Sequence, residues 1–294
     1  MTIATTRKPL TVGSLFAGIG GIDLGLQRAG MVIDWQVEID DYATRVLERH
    51  WPNVRRWGDV TTFLSDSDCG RFASEREQKT EEPSVTDGCG CKESSYRSWG
   101  VDLIAAGFPC TDISRCGTGD GIDGQQSRLF FEVIRVARQL RPKYLLLENV
   151  AAIRGRGLDR VLGEMASIGY DAEWNCIPAS AVGAPHIRDR IFIVAIRKRI
   201  LADANSKRLQ RRVSEVVPKR TAQRIVGSSG SLENFRQKSK RSWRNTGPEL
   251  RRVSNGVPRR VDRLRALGNA VVPQVAEYVG REIVKHYENL ELEL

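Results

Sequence analysis

Apolar residues along the first two thirds of the chain come in short runs separated by longer stretches in which apolar positions recur at helical spacing. The short runs have the length and the Gly, Pro or polar ends of buried strands. They cover residues 11–16, 31–37, 101–106, 144–147, 171–177 and 187–195, and a further strand ends near residue 57. The helical stretches cover residues 22–29, 42–49, 127–140 and 159–168. Strands that alternate with helices predict an α/β fold with a doubly wound, mostly parallel sheet.

Two segments interrupt this pattern. Residues 64–100 are rich in Ser, Asp and Glu and are predicted to form an irregular surface insertion. Its three cysteines form no CxxC pair, so no metal site is expected. Residues 197–252 are basic and Ser-rich, and residues 253–294 return to an amphipathic pattern. We therefore expect a catalytic and cofactor-binding α/β domain over 1–196, a small basic lobe over 197–252, and a C-terminal segment that rejoins the first domain.

Composition narrows the class of protein. The chain has 294 residues, of which 40% are hydrophobic, and no run of about 18 apolar residues that could cross a membrane. The first eight residues lack the apolar core of a signal peptide. Six cysteines are too few for a secreted disulfide framework in a chain of this length. We expect a cytoplasmic protein in which a reactive thiol can persist.

Charge is distributed unevenly along the chain. Residues 197–267 hold 21 Lys and Arg against 5 Asp and Glu, whereas the rest of the chain holds 25 basic and 31 acidic residues. A mildly acidic body therefore carries a strongly basic appendage. Such asymmetry indicates a polyanionic partner, although a solvated flexible tail would have a similar composition.

A glycine-rich turn, Ala17 to Gly21, lies between the first strand and the first helix. Glycines at such a turn let backbone N–H groups approach a ligand at a helix N-terminus. Glu38 ends the second strand, about 20 residues on, where a carboxylate can accept hydrogen bonds from ribose hydroxyls. Asp59 near the third strand could reach an adenine amino group or simply cap the turn with Thr61 and Thr62.

Cys110 follows a buried strand within the sequence Gly107 to Ser114. Open α/β sheets bind ligands at the carboxyl edge of their strands, so this cysteine is either a reactive thiol in a crevice or an inert packed residue. Four glycines in residues 115–124 indicate a loop that could close over a substrate, or a plain connection.

Glu148 ends another strand and so is expected at the same sheet edge as Cys110. A nucleophilic thiol and a carboxylic acid that can give a proton form a coherent catalytic pair, whereas alone Glu148 could be a helix cap or a surface acid. Arg188 and Arg190 alternate at strand spacing, which predicts one shared face suited to an acceptor-rich ligand.

Taken together, these segments resemble the cytosine-C5 DNA methyltransferase family, in the family's order and over nearly the whole chain. The matching motifs are residues 15–21 (LFAGIGG), Glu38, Gly58-Asp59, residues 107–110 (GFPC), residues 148–150 (ENV), residues 188–190 (RDR) and residues 268–271 (GNAV). The family likeness implies the fold of S-adenosylmethionine-dependent methyltransferases.

The likeness also implies a cofactor site and no metal. S-adenosylmethionine would lie over the glycine turn with Phe16 against adenine, Glu38 on the ribose and Asp59 near the adenine amino group. Asn269 and Ala270 would close the methionine end. The full set of implied cofactor residues is Phe16, Ala17, Gly18, Gly20, Gly21, Glu38, Asp59, Pro109, Asn269 and Ala270.

By the same likeness, Cys110 would attack C6 of a cytosine flipped out of double-stranded DNA. Glu148 would act at N3, and Arg190, with Arg188, at O2. Residues 114–124 would close behind the base, and residues 197–252 would read the target. The likeness also suggests a monomer that can work beside a cognate restriction nuclease.

Two residues depart from the family pattern. His186 stands where the family often has Gln, which affects how the two arginines are oriented, and Thr111 replaces the usual Gln after the cysteine. Cytosine-C5 methylation of tRNA and a catalytically silent DNA-binding protein of the same fold are alternatives. A nicotinamide dehydrogenase would explain the glycines and Glu38 but gives Cys110 and Glu148 no role.

Overall fold

A computed structural model describes residues 8–65, 97–109, 129–198 and 260–293. These residues build one seven-stranded sheet in the order β3-β2-β1-β4-β5-β7-β6. The strands are β1 Thr11–Leu15, β2 Val32–Val37, β3 Arg55–Trp57, β4 Leu103–Gly107, β5 Tyr144–Val150, β6 Tyr170–Pro178 and β7 Asp189–Arg197.

Five neighbouring strands, β1 to β5, run parallel, and β7 pairs antiparallel with both β5 and β6. The sheet is therefore mostly parallel, and the predicted α/β fold class is confirmed. Since parallel strands need crossover connections, the glycine turn after β1 and residues 108–109 after β4 lie at the same carboxyl edge of the sheet.

Six α-helices occur in the described residues: α1 Gly21–Arg28, α2 Asp41–His50, α3 Phe130–Leu140, α4 Leu158–Ser167, α5 Arg260–Asn269 and α6 Pro273–Glu293. Their boundaries follow local chemistry. Asp40 caps α2 by accepting a hydrogen bond from the Ala43 backbone N–H at 2.8 Å. The left-handed Arg141, with φ of 47°, ends α3 before β5 begins.

Helices cover both faces of the sheet, as in a doubly wound fold. Buried residues of α3 and α4, including Phe130 and Val161, pack on one face. Buried residues of α1 and α6, including Leu26 and Val279, pack on the other face. No helix among the described residues is long and apolar enough to span a membrane.

Helix α6 lies directly against α1, although the two are far apart in sequence. A Cβ atom placed on Gly25 of α1 would come within 2.5 Å of the Cβ of Ala276 and the carbonyl oxygen of Pro273. A Cβ on Gly280 of α6 would come within 2.9 Å of Ala29 and Leu26. The C-terminal segment therefore packs against the first helix through close contacts at Gly25 and Gly280, where a larger residue would force neighbouring atoms to move.

One expectation about local structure is confirmed and another needs correction. Strand β5 ends in residues 148–150 as expected, and β7 pairs with it as far as the Val150 to Arg190 position. Arg188 precedes β7 in a left-handed conformation, with φ of 32°. Arg188 and Arg190 therefore do not alternate along one strand, and the prediction that they share a strand face was wrong.

Candidate functional site

A cleft of about 630 Å³ opens at the carboxyl edge of the sheet. The strand ends of β1, β2, β4 and β5 form its floor, and the junction of α5 and α6 forms a wall. Nine of the ten residues expected to hold the cofactor line this cleft: Phe16, Ala17, Gly18, Gly21, Glu38, Asp59, Pro109, Asn269 and Ala270. Glu148 and Arg190 line it as well.

The glycine turn and Glu38 are held together by hydrogen bonds. The Gly18 backbone N–H donates to Glu38 Oε2 at 2.6 Å, and the Asp40 N–H donates to Glu38 Oε1 at 2.8 Å. Gly18 has φ of 56°, and nothing lies within 4 Å of the place a Cβ would occupy. The turn thus presents bare backbone and an oriented carboxylate to the cleft.

Gly20 and Gly21 face packing neighbours. A Cβ on Gly20 would meet the Trp51 ring at 2.4 Å, and Gly20 does not line the cleft. A Cβ on Gly21 would lie 2.5 Å from the Val271 carbonyl oxygen. Gly20 therefore lets α2 pack closely, and Gly21 lets the C-terminal segment close the cleft.

Asp59 stands on a turn that follows β3. Its Oδ1 accepts a hydrogen bond from the Thr61 N–H at 2.9 Å, and its carbonyl accepts from Thr62 Oγ1 at 3.0 Å. Asp59 therefore caps its turn and also lines the cleft. The predicted contact with an adenine amino group is compatible with this capping role.

Glu148 is a buried carboxyl group, only 7% exposed, at the base of the cleft. Arg190 Nε lies 3.1 Å from Glu148 Oε1. Burial raises the pKa of Glu148 to about 7, against the opposing charges of Arg190 and then Arg188. Near neutral pH this side chain can therefore exist with or without its proton, as a general acid requires.

Gly107 makes room for that carboxyl group. Gly107 pairs with Glu148 in the register of β4 and β5, and a Cβ there would lie 3.4 Å from Glu148 Oε2. A Cβ at position 107 would therefore lie in ordinary van der Waals contact with the carboxyl group from the neighbouring strand.

The two arginines have different surroundings. Arg190 lines the cleft, whereas Arg188 does not and donates from Nη2 to the Ala270 carbonyl oxygen at 2.7 Å. Arg190 therefore lies in the cleft beside Glu148, while Arg188 ties the β7 side of the cleft to the C-terminal wall. The catalytic roles expected of both remain predictions.

Cys110, residues 114–124 and residues 199–259 lie outside the described residues. The chain leading to Cys110 is described as far as Pro109. Asn149 Nδ2 donates to the Phe108 carbonyl oxygen at 3.3 Å, a buried bond from the residue after Glu148. The strand with Glu148 is thus bonded to the loop that leads to the cysteine.

Sequence reasoning missed several residues that shape the cleft. Ile39 lines it although its side chain is 71% exposed, an apolar exposure that a single sequence does not reveal. Beneath the glycine turn, Gln36 Nε2 donates to Asp23 Oδ2 at 2.7 Å. Burial raises the pKa of Asp23 to about 6, although hydrogen bonds from Ser14 and Gln36 lower it.

Arg135 of α3 was also missed. Its guanidinium donates to the carbonyl oxygens of Val60 and Phe63, both at 2.8 Å, and Nε pairs with Glu132 at 2.7 Å. These bonds fix the turn that carries Asp59. A carbonyl-capping role of this kind has no sequence motif, and an arginine in a helix is otherwise unremarkable.

The C-5 cytosine-specific DNA methylase family model matches residues 10–256, which include every strand of this sheet. The chain belongs to that family. The family match thus covers the whole sheet and the motifs between residues 15 and 190.

Curated relatives in this family are bacterial and viral type II methyltransferases. The type II methyltransferase M2.BsuMI of Bacillus subtilis is 30% identical over 194 residues, which are 63% of this chain and 42% of that protein. M.CviJI of Paramecium bursaria Chlorella virus IL3A is 33% identical over 185 residues, or 63% of this chain and 42% of that protein. The chain spans less than half the length of these curated relatives.

One solved structure covers nearly the whole chain. It is described as a DNA modification methyltransferase encoded within an E. coli prophage, and it matches 95% of this chain and 100% of its own with a TM-score of 0.55 and 19% identity. This similarity supports the methyltransferase fold.

Proposed function

We propose that this chain transfers a methyl group from S-adenosylmethionine to C5 of cytosine in double-stranded DNA. The observation that carries the proposal is the buried carboxyl group of Glu148, paired with Arg190 and set in the same cleft as Glu38 and Asp59. Glu148, the proposed acid for the cytosine ring, and Glu38, the proposed ligand of the ribose, thus lie in the same cavity.

The cleft suits a nucleoside-bearing methyl donor. A volume of about 630 Å³ is within the usual range of ligand sites, about 300–1,000 Å³. Phe16 and Ile39 offer apolar surface, and Gly18 offers open backbone. Glu38 would bind the ribose hydroxyls, Asp59 the adenine amino group, and Asn269 with Ala270 the methionine end.

The remaining residues would overcome the weak nucleophilicity of cytosine C5. The Cys110 thiolate would add to C6, which forms a C–S bond and moves electron density toward N3 and O2. Glu148 would give a proton or hydrogen bond to N3 while Arg190 offsets charge at O2. S-adenosylmethionine supplies the methyl group for C5. A base, for which water suffices, would then remove the C5 proton, the C6–S bond would break and restore the thiolate, and N3 would return its proton to Glu148.

A DNA duplex with 5-fluorocytosine at the target tests this scheme, because fluorine cannot leave as a proton does and the covalent complex should persist. The wild type and a Cys176→Ala control should form it with S-adenosylmethionine present, and Cys110→Ala should not. Cys176 is a half-buried thiol on β6 and is therefore a matched control. No covalent complex with duplex that the protein demonstrably binds would overturn the mechanism.

Two further measurements separate the alternatives. Methyl transfer to duplex DNA should exceed transfer to tRNA, and the reverse result would assign an RNA substrate. Bisulfite sequencing of plasmid from cells expressing the chain would report the methylated sequence, and unmodified plasmid together with inactivity in vitro would favour a silent DNA-binding protein.

A further inference from the structure

An Arg-Gly-Arg-Gly segment, residues 154–157, lies just past the end of β5 and has no role in the scheme above. Arg154 and Arg156 are both exposed. No acidic residue occurs between Glu148 and Asp159, so the ten residues 149–158 carry these two positive charges alone.

The segment borders the end of the cleft that holds Glu148. Glu148 and Val150 are in the last three residues of β5, and Val150 lines the cleft and pairs with Arg190. A 3-10 helix over Ala151–Gly155 follows directly. Arg154 therefore lies only six residues from Glu148, on the side of the cleft away from Glu38.

The charge of Arg154 also reaches the neighbouring strands. Burial raises the pKa of the Cys176 thiol on β6, and Arg154 opposes that shift. On the other side, the Arg160 guanidinium lies 5.2 Å from the centre of the Phe131 ring at the start of α3. Positive charge beyond the end of β5 thus extends from α3, through Arg160, to β6, through Arg154.

The glycines leave the backbone accessible. Nothing lies within 4 Å of a Cβ placed on Gly155, and Gly157 has φ of 136°, a conformation that favours glycine. An open backbone between two arginines allows close approach of a phosphodiester.

The covalent structure of the DNA determines which of its groups lies near these arginines. A cytosine held against Glu148 remains joined to its own deoxyribose and to the phosphates on either side. Those phosphates must lie over the rim of the cleft next to Glu148. We propose that Arg154 and Arg156 bind the phosphates of the target strand that flank the flipped cytosine. This inference rests on the proposed function.

Arg154 and Arg160 differ in their local balance of charge. Arg160 follows Asp159 directly and stands one helical turn before Glu164 on α4, so nearby carboxylates offset its charge. Arg154 and Arg156, by contrast, lie on a segment with no acidic residue between Glu148 and Asp159. We therefore assign the phosphate contacts to Arg154 and Arg156 and expect a smaller contribution from Arg160.

The test measures how affinity for a cytosine-containing duplex depends on salt. Replacing two phosphate-contacting cations should reduce the slope of log K against log salt by about 2. The double variant Arg154→Gln/Arg156→Gln should therefore bind duplex about tenfold or more weakly at about 0.1 M salt. The variant Arg154→Lys/Arg156→Lys keeps both charges and should retain most of the slope.

Arg28→Gln/Arg138→Gln is the matched control. Both arginines are exposed and stand near the last turns of α1 and α3, at the opposite edge of the sheet. The control should keep the wild-type slope. Affinity for S-adenosylhomocysteine should be the same in all variants, which would exclude misfolding as the cause.

The outcomes are distinguishable. Wild-type methyl transfer with an unchanged slope in Arg154→Gln/Arg156→Gln would overturn this inference and leave the proposed function standing. Salt-dependent binding without methyl transfer would overturn the proposed function, while the slopes would still decide the role of the arginines. If Arg154→Gln/Arg156→Gln reduced the salt slope for tRNA but not for duplex DNA, the two arginines would be assigned to RNA binding and this inference would be overturned. A wild type that binds no duplex would overturn both this inference and the proposed function.

Discussion

Arg188 Nη2 donates a hydrogen bond to the carbonyl oxygen of Ala270 at 2.7 Å, across 82 positions of sequence. The bond joins the residue before β7, close to Arg190, to the segment that forms the wall at the opposite end of the cleft. It makes the geometry of one half of the cleft depend on the other.

Arg188→Ala should therefore weaken donor binding. A hydrogen bond from a charged group contributes about 1.5–3 kcal/mol, so the dissociation constant for S-adenosylhomocysteine should rise by roughly tenfold or more. Calorimetric titration measures it. Arg197→Ala is the control, since Arg197 also donates to a carbonyl, that of Arg141 at 2.5 Å, but at the far end of β7. Equal dissociation constants in wild type and Arg188→Ala would contradict the assigned role.

Glu148→Gln should change how stability depends on pH. Burial raises the pKa of Glu148 from 4.5 to about 7, so the folded protein holds this proton more tightly than the unfolded chain. The resulting stabilisation is complete below about pH 4.5 and is lost as the pH rises through about 7. Relative to Gln, the wild type should lose on the order of 3 kcal/mol of unfolding free energy over that interval.

Urea unfolding of both proteins at pH 5 and pH 8 gives that difference. Burial raises the pKa of Asp23 to about 6, but Asp23 is present in both proteins, so its contribution cancels in the comparison. A stability of the wild type relative to Glu148→Gln that stayed constant or increased from pH 5 to pH 8 would contradict the assignment. Methyl transfer by Glu148→Gln should fall by about 10²–10⁴-fold, the usual contribution of a general acid.

Arg135→Ala should destabilise the turn under Asp59. The change removes hydrogen bonds to the carbonyl oxygens of Val60 and Phe63 and leaves both without that partner. We expect a loss of about 2–4 kcal/mol in unfolding free energy. Arg138→Ala, an exposed arginine on the same helix, should change it by less than about 0.5 kcal/mol. Denaturant titration of the pair decides whether the two arginines differ as described.

Gly25→Ala should disrupt the contact between α1 and α6. Its Cβ would lie 2.5 Å from both Ala276 Cβ and the Pro273 carbonyl oxygen, so the helices must move apart. Overpacking of this kind costs about 1–3 kcal/mol. Gly163→Ala in α4 is the opposite case, because nothing lies within 4 Å of its Cβ, and it should stabilise by up to about 1 kcal/mol. Thermal melts that ranked the two variants in reverse would contradict the described packing.

The strands of the sheet could be predicted from sequence because each is a short apolar run with a clear end. Strand β1 was expected at residues 11–16 and lies at Thr11–Leu15. Glu148 was placed correctly at the carboxyl edge, among the three residues that end β5. Arg188 was mistaken for a strand residue, because the apolar run that follows it does not reveal its left-handed φ of 32°.

Residues of the cleft divide in the same way. Glycines and carboxylates at strand ends have recognisable spacing, so Gly18 and Glu38 could be predicted. Gly20 was predicted from the same motif, yet it faces Trp51, because a motif gives the residue type and not the direction it faces. Arg135 acts through backbone carbonyls of a distant turn, and no pattern in one sequence predicts such a contact.

The closure of the cleft by Val271 against Gly21 has a consequence for biosynthesis. After Gly21 has been translated, the 250 residues from position 22 to position 271 must follow before the two residues can meet. At about 5–20 residues per second, that interval lasts roughly 10–50 s. During this interval the side of α1 that carries Leu26 lacks α6, its partner helix. The nascent chain therefore exposes an apolar surface that chaperones can bind and through which unfinished chains can aggregate.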